Sequence, residues 1–401
     1  MMPGHRIYLD HAATTPTDPR VVSAMLPYLT NTWGNASSIY AEAREARKGL
    51  DDARRTVAAV LGCRPNEVVF TSGGTEADNL ALRGVVAAAW LRWTTSDASS
   101  AKPPHIITTA IEHHAVLYEC EALAKEGVRV TYLPVDAEGI VDIDALTAAL
   151  SDETVLVSVM YANNEVGAIE PMAEIARIVK AHNPRIAVHT DAVQAAGALD
   201  LDVDRLGVDL LSIAAHKIYG PKGVGALYVR ARTPFVPQTL GGSQERNRRA
   251  GTENVAGAAA LATALRLAHD EQAARNVHVA TLRDRLLDEV PRRVPDTLVT
   301  GPLDRARRLP NSASFAFKHV EGEAVLLQLD LQGIAASSGS ACTTASLEPS
   351  HVLVAIGVAE EYLRGSLRLT LGASNTAADI EYLLDVLPRA VERIRALAPA
   401  G

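Results

Sequence analysis

A chain of 401 residues exceeds one average domain, and with 48% hydrophobic but only 4% aromatic residues its core must be built mainly from Ala, Val, Leu and Ile, which suits alternating strands and helices. A formal net charge of -8, with Lys and Arg scattered along the chain, leaves no basic face for polyphosphate and argues against direct nucleic-acid binding. Met1 to Thr15 lacks a basic-then-apolar signal pattern and no apolar run approaches the roughly 20 residues of a membrane span, so the reading is a soluble cytoplasmic protein with no membrane partner.

After the apolar run Ile7 to Leu9, Asp10-His11-Ala12-Ala13-Thr14-Thr15-Pro16 forms a small-residue loop with room for a ligand, and Thr17-Asp18-Pro19 marks a helix start. The loop Trp33 to Ser38, in which Asn35 reads as a turn residue, precedes an amphipathic helix that runs to Leu61 and stops at Gly62. Glu67 to Thr71 is a strand, Ser72-Gly73-Gly74-Thr75 a tight turn, and Glu76 onward a helix. That order makes an anion site, because first-turn amides lack intrahelical partners and the helix dipole favours negative charge. The spacing is neither the dinucleotide nor the nucleotide-triphosphate fingerprint; a plain turn would also explain it.

Thr94 to Pro104 is polar and Pro-bearing, a surface loop. Alternation then resumes with strands Ile106 to Thr109, Val128 to Leu133, Val155 to Met160, Ile186 to Val188 and the apolar run Leu210 to Ala215, with helices Val116 to Glu126, Ile143 to Ser151 and Met172 to His182 between them. This βαβ series predicts a mainly parallel sheet covered on both faces, whose ligands bind beyond the carboxyl ends of the strands. Gly74-Thr75, His113, Asn164, Asp191 and His216-Lys217 each follow a strand. Singly they are a turn, a capped loop histidine, a turn asparagine, an N-cap and a snorkelling lysine. Together on one rim they suggest pyridoxal phosphate: Lys217 for the aldehyde, Asp191 to keep the pyridine nitrogen protonated, His113 on the ring face, and Gly74, Thr75 and His216 for the phosphate.

Val224 to Val229 reads as a strand returning to the sheet, and Gly241 to Asn254 as a glycine- and arginine-rich surface loop. The helical region Val255 to Val290 contains the domain boundary, dividing a large α/β domain (16–270) from a small α+β domain (1–15 and 271–401). Three cysteines are too few and too irregularly spaced for a disulfide framework or a zinc site, so no metal is expected. Cys63 and Cys120 read as inert packing residues. Cys342 differs: small hydroxyl residues on both sides, from Ser337 to Glu348, place its thiol on an exposed, mobile loop where it has the access a nucleophile needs.

The segment Ser337-Ser338-Gly339-Ser340-Ala341-Cys342, with Ser346-Leu347-Glu348-Pro349-Ser350, His216-Lys217-Ile218-Tyr219-Gly220-Pro221-Lys222-Gly223 and Ser72-Gly73-Gly74-Thr75-Glu76, closely resembles the cysteine desulfurases. These belong to the class-V aminotransferase group of fold type I, and the long cysteine loop is similar to that of the subgroup serving iron-sulfur cluster assembly and tRNA thiolation. The resemblance spans essentially the whole chain. It implies an α/β fold with a mainly parallel seven-stranded sheet and a smaller C-terminal domain, pyridoxal 5'-phosphate as cofactor, and conversion of L-cysteine to L-alanine with sulfur passing to Cys342 as a persulfide. It further implies that Lys217 and His113 join Cys342 in catalysis, that Asn164 and Gln194 contact the ring hydroxyl, and that Arg368, Asn164 and Asn35 bind substrate. Thr252 would reach the phosphate of a second subunit's cofactor, implying a homodimer, and a cluster scaffold or other sulfur-acceptor protein is the implied partner. Selenocysteine lysis and sulfur donation to DNA phosphorothioation are consistent with the same groups. Two positions depart from the pattern: Ala214 stands where a phosphate-binding serine is usual, and Asn35-Ala36-Ser37 replaces Asn-Pro-Ser.

Overall fold

The computed structural model describes residues 6–94, 102–339 and 348–397. Short β-branched and apolar runs form the strands, in chain order β1 (Ile7–Tyr8), β2 (Val68–Thr71), β3 (His105–Thr109), β4 (Arg129–Leu133), β5 (Thr154–Ser158) and β6 (Ala187–Asp191). They continue with β7 (Leu210–Ala214), β8 (Gly225–Val229), β9 (Thr297–Val299), β10 (Ser312–Phe317), β11 (Ile334–Ala335) and β12 (Ser366–Thr370).

Seven of these make the main sheet, in the order β2-β8-β7-β6-β5-β3-β4. β8 runs antiparallel to both of its neighbours, and the other six point the same way. β2, β3, β6, β7 and β8 are buried at every position, as strands covered on both faces must be; the edge strand β4 carries the exposed residues Arg129 and Tyr132. Helices Gly74–Thr94, His114–Lys125 and Met172–His182 return the chain between parallel strands, so that the carboxyl ends of β2, β3, β5, β6 and β7 share one rim. The expected boundaries shift slightly. The helix after the glycine turn begins at Gly74 rather than Glu76, and β6 continues through Asp191, making that aspartate the last residue of a strand.

Helix Val255–Asp270 packs on helices Pro19–Thr30 and Ala41–Leu61 and buries Val255, Leu261 and Leu265 in the core beneath the main sheet. The long helical region breaks at Glu271, and the next helix, Gln272–Arg293, turns Leu282, Leu286 and Val290 into a separate core with Phe315, Phe317 and Leu387. That second core lies on the antiparallel sheet β12-β10-β9. Along β10 the side chains alternate: Ala313, Phe315 and Phe317 enter the core, while Ser314 Oγ accepts from Thr300 Oγ1 at 2.7 Å. Truncating Phe315, which is fully buried, to alanine would cost about 3–5 kcal/mol. Ile7 and Leu9 join the same core because β1 pairs in parallel with β11, tying the start of the chain to its C-terminal third. Among the described residues no helix is long and apolar enough to cross a membrane.

Candidate active site

A cavity of about 350 Å3 opens at the shared rim, and Gly74, Thr75, Asn164, Asp191 and Lys217 all line it. His113, Gln194, His216 and, from the small sheet, Arg368 complete the set. Nine of the twelve residues singled out in the sequence therefore meet in one place. Asn35 and Thr252 are exposed and lie outside this cavity; Cys342 lies outside the described residues.

Lys217 sits at the end of a single 3-10 turn (Ala215–Lys217) that follows β7 directly, so the buried strand delivers its amine to the rim. Nζ donates to the carbonyl oxygens of Ala12 at 2.5 Å and Ala13 at 2.8 Å. The small side chains of the Asp10 to Pro16 loop thus let backbone carbonyls, rather than side chains, receive the lysine. Gln194 Nε2 donates to the same Ala12 oxygen at 3.0 Å.

Asp191 Oδ1 accepts from the Val193 amide at 2.8 Å. Burial lifts its carboxyl to about 6, against the pull of that amide and of the Lys217 charge. Asp78, one turn into the helix that starts at Gly74, also lines the cavity, and burial reinforced by the Asp191 charge holds it well above the usual carboxylate range. Of this pair Asp191 is the one placed to carry negative charge, because it has both the amide and the lysine.

His113 is the N-cap of helix His114–Lys125, its Nδ1 accepting from the Ala115 amide at 3.1 Å. The neutral ring consequently carries its proton on Nε2. Burial, with the charges of Lys217, His114 and His351, lowers its pKa to about 4. His216 is lowered to about 4 by burial and the neighbouring lysines Lys217 and Lys222, and its Nδ1 lies 3.3 Å from Thr14 Oγ1.

Arg368 is almost fully buried. Nη2 donates to Asp10 Oδ1 at 2.9 Å and Nη1 to the Asn164 carbonyl at 3.0 Å, whereas Nε has no hydrogen-bond partner. A buried guanidinium N–H without an acceptor, on the wall of a cavity, points to an anionic ligand. Both shoulders of the cysteine loop are fixed beside this arginine. Ser337 exchanges backbone hydrogen bonds with it, Gly339 lines the cavity against Glu165, and Ser350 Oγ donates to Glu165 Oε2 at 2.5 Å.

Sequence reasoning missed Asp78, Glu165, His351 and the Ala12 and Ala13 carbonyls. Asp78 had a signal, since four residues beyond Gly74 is one helical turn and faces the same way. The carbonyls had none. Cys63 is half-buried and Cys120 buried, and burial pushes both thiols up, that of Cys63 to about 12, so neither is a ready nucleophile.

These residues fit pyridoxal phosphate. The amine of Lys217 and the carboxylate of Asp191 line one cavity with a helix N-terminus that bears Thr75, and the orphaned Arg368 Nε–H marks a place for a substrate carboxylate. At Gly74 a Cβ would fall 2.8 Å from Val193 Cγ2, so the turn has no space for a side chain beside the anion site.

The family model for aminotransferase class-V matches residues 7–383. The cysteine desulfurase IscS of Dictyoglomus turgidum is 50% identical over 393 residues, covering 98% of this chain and 96% of that protein. Among solved structures, a NifS-like protein superposes with a TM-score of 0.88 at 36% identity, covering 97% of this chain and all of the other. A structure of SspA in complex with cysteine has a TM-score of 0.78 at 31% identity, over 92% of this chain and all of that one.

Proposed function

Since this chain belongs to the class-V aminotransferase family and within it is a cysteine desulfurase, we propose that its rim residues divide the conversion of L-cysteine to L-alanine as follows. Lys217, Asp191, His113, Asn164, Gln194, His216, Gly74 and Thr75 would hold pyridoxal phosphate. When bound, that group supplies an electron sink for the pair left behind when the substrate Cα–H bond breaks.

Arg368 orients the substrate by its carboxylate. Its Nε–H has no partner, while Asp10 and the Asn164 carbonyl hold Nη2 and Nη1 and so fix the guanidinium plane. Lys217 leaves the Ala12 and Ala13 carbonyls and removes the α-proton, as a flexible amine at the rim can. His113, neutral with its proton on Nε2, acts as a proton donor on the wall of the same cavity. The Cys342 thiolate attacks the substrate sulfur: an S–S bond forms, the C–S bond breaks, and the carbon gains a proton on its way to alanine. Gly339, three residues ahead of Cys342 in the chain, lies on the cavity wall.

The observation that carries this reading is the buried Arg368, whose Nε–H has no partner, on the wall of the same cavity as Lys217. The division into a large domain (16–270) and a small one (1–15 with 271–401) is part of the proposal. So is a homodimer in which Thr252 serves the second subunit's site and Asn35 the substrate, and so is delivery of the persulfide sulfur to an acceptor protein for iron-sulfur cluster assembly. Purified protein should show the visible absorption of bound pyridoxal phosphate. It should form alanine and sulfide in equal amounts from L-cysteine with dithiothreitol; absence of alanine would refute the assignment, and faster alanine formation from selenocysteine would shift it to selenocysteine lysis.

A further inference from the structure

Glu165 belongs to the turn after β5, and Asn163 fixes that turn: its Oδ1 accepts from the Glu165 amide at 2.8 Å and the Val166 amide at 2.9 Å, and its Nδ2 donates to the Ile111 carbonyl at 2.9 Å. The Glu165 side chain is turned inward, where it is 4% exposed and lines the cavity with Arg368. Burial raises its pKa to about 7, against the Ser350 hydroxyl and the Arg368 charge. Arg368 itself is paired with Asp10, and the division of labour above gives this buried acid no task.

One oxygen of this carboxyl, Oε2, is approached by the chain twice. Ser350 Oγ donates to it at 2.5 Å, and the same hydroxyl caps helix His351–Ala355 by accepting from the amides of Val352 at 3.1 Å and Leu353 at 3.3 Å. Gly339 faces the same oxygen: a Cβ there would overlap Oε2, so a side chain at this position would push the carboxyl off its bond to Ser350. Two residues earlier Ser337 is tied to the backbone of Arg368, its amide donating to the Arg368 carbonyl at 3.3 Å and its carbonyl accepting from the Arg368 amide at 2.6 Å. The ten residues between Gly339 and Ser350, Cys342 among them, thus depart from and return to one carboxyl oxygen.

We propose that Glu165 is the positioning residue for sulfur transfer, its Oε2 pinning both shoulders of the Cys342 segment to the wall that holds Arg368. The proposal rests on the roles given above to Arg368 and Cys342. A chain held at both ends loses less entropy when a residue between them is brought to one point than a chain held at neither, whatever path the intervening residues take. Gly339 lines the substrate cavity, and so does His351, the neighbour of Ser350, so the tether raises the effective concentration of Cys342 at the substrate sulfur. It adds nothing to the steps that precede sulfur transfer, because Cys342 takes no part in them.

Two measurements on the holoenzyme separate this step from the earlier ones. After mixing with L-cysteine without reductant, mass spectrometry times the gain of sulfur on the Cys342 peptide; loss of the L-alanine α-hydrogen signal in D2O, followed by proton NMR, times proton removal from Cα and needs no thiol. Glu165→Ala should gain sulfur on the order of tenfold more slowly, with α-hydrogen exchange, alanine affinity and cofactor absorption unchanged. Glu165→Gln, whose amide oxygen still accepts from Ser350, should recover most of the rate. Gly339→Ala should be slowed like Glu165→Ala, and the double variant should be no slower than either alone, since the methyl then has no carboxyl to displace. Sulfur gain by Glu165→Ala at the wild-type rate would overturn the proposal, and so would an equal loss of α-hydrogen exchange, which would make Glu165 a support for Arg368 instead. If Glu165→Ala does not fold, Ser350→Ala decides by the same two readings. A wild type that gains no sulfur on Cys342 would refute the role of that cysteine, and the tether with it.

Discussion

Arg368 Nη2 lies 2.9 Å from Asp10 Oδ1, an ion pair that joins β12 of the small sheet to the loop beside Lys217. The arginine is therefore charge-balanced before substrate arrives, and what it offers a carboxylate is a planar edge more than a bare charge. Lysine at this position keeps the charge and loses the edge. Arg368→Lys should raise KM for L-cysteine by about tenfold to a hundredfold, the worth of a charge-assisted hydrogen bond, with a smaller effect on kcat. Steady-state kinetics checks this; an unchanged KM would place the carboxylate clamp elsewhere.

Glu112 is fully buried between the active-site rim and β5. Oε1 accepts from Thr109 Oγ1 at 2.6 Å and from the Met160 amide at 2.9 Å, and Oε2 has no partner. Burial raises its pKa to about 8, against those two donors. The folded pKa lies above the unfolded one, so this residue's contribution to stability is full below the unfolded value of about 4.3 and is lost as pH rises through about 8. Glu112→Gln mimics the protonated acid. Between pH 6 and pH 9 the wild type should lose at least about 1 kcal/mol of unfolding free energy relative to the variant. Parallel denaturant midpoints for the two proteins across that range would contradict this.

Much of this arrangement was legible because several strands of the main sheet end in or run directly into a polar residue that a buried strand would not otherwise tolerate, as Lys217 after Leu210 to Ala214 illustrates. Elements without periodicity were not legible. β11 is only two residues long, and β9, three residues at the sheet's outer edge, exposes its central Leu298; neither is long enough to show alternation. The role of Arg368 came from the family resemblance alone, for a different reason. Ser366 to Leu371 reads as an ordinary strand, and only the packing of β12 beside Asp10 turns its arginine inward. The carbonyls of Ala12 and Ala13 leave no trace in side-chain chemistry at all.

Glu245, Arg246 and Asn247 have φ of 45°, 56° and 62°, three consecutive left-handed residues, none a glycine. Such a backbone persists only if its surroundings fix it. Here Glu245 is buried and bonded to Arg54 at 2.6 Å and 2.7 Å and to the Phe70 amide at 3.0 Å. Glu245→Ala should destabilise the protein by roughly 3–5 kcal/mol, because Arg54 is left buried without its partner. Double substitution of Arg54 and Glu245 should cost less than the sum of the singles; strict additivity in denaturation would contradict the coupling.

Lys217→Ala removes the only amine on the cavity wall among the described residues. Alanine formation from cysteine should fall by at least about a thousandfold, while the fold, whose core the lysine does not enter, should be retained by circular dichroism. Alanine production near the wild-type rate would refute the assignment of this lysine as the base.

The central claim is that sulfur leaves L-cysteine for Cys342, and mass spectrometry of the protein after a single turnover without reductant addresses it directly. The account predicts that the peptide containing Cys342 gains the mass of one sulfur atom in step with one alanine released per active site, and that Cys342→Ser binds cysteine but gains nothing. Added sulfur on Cys63 or Cys120, or sustained sulfide release by Cys342→Ser, would contradict it.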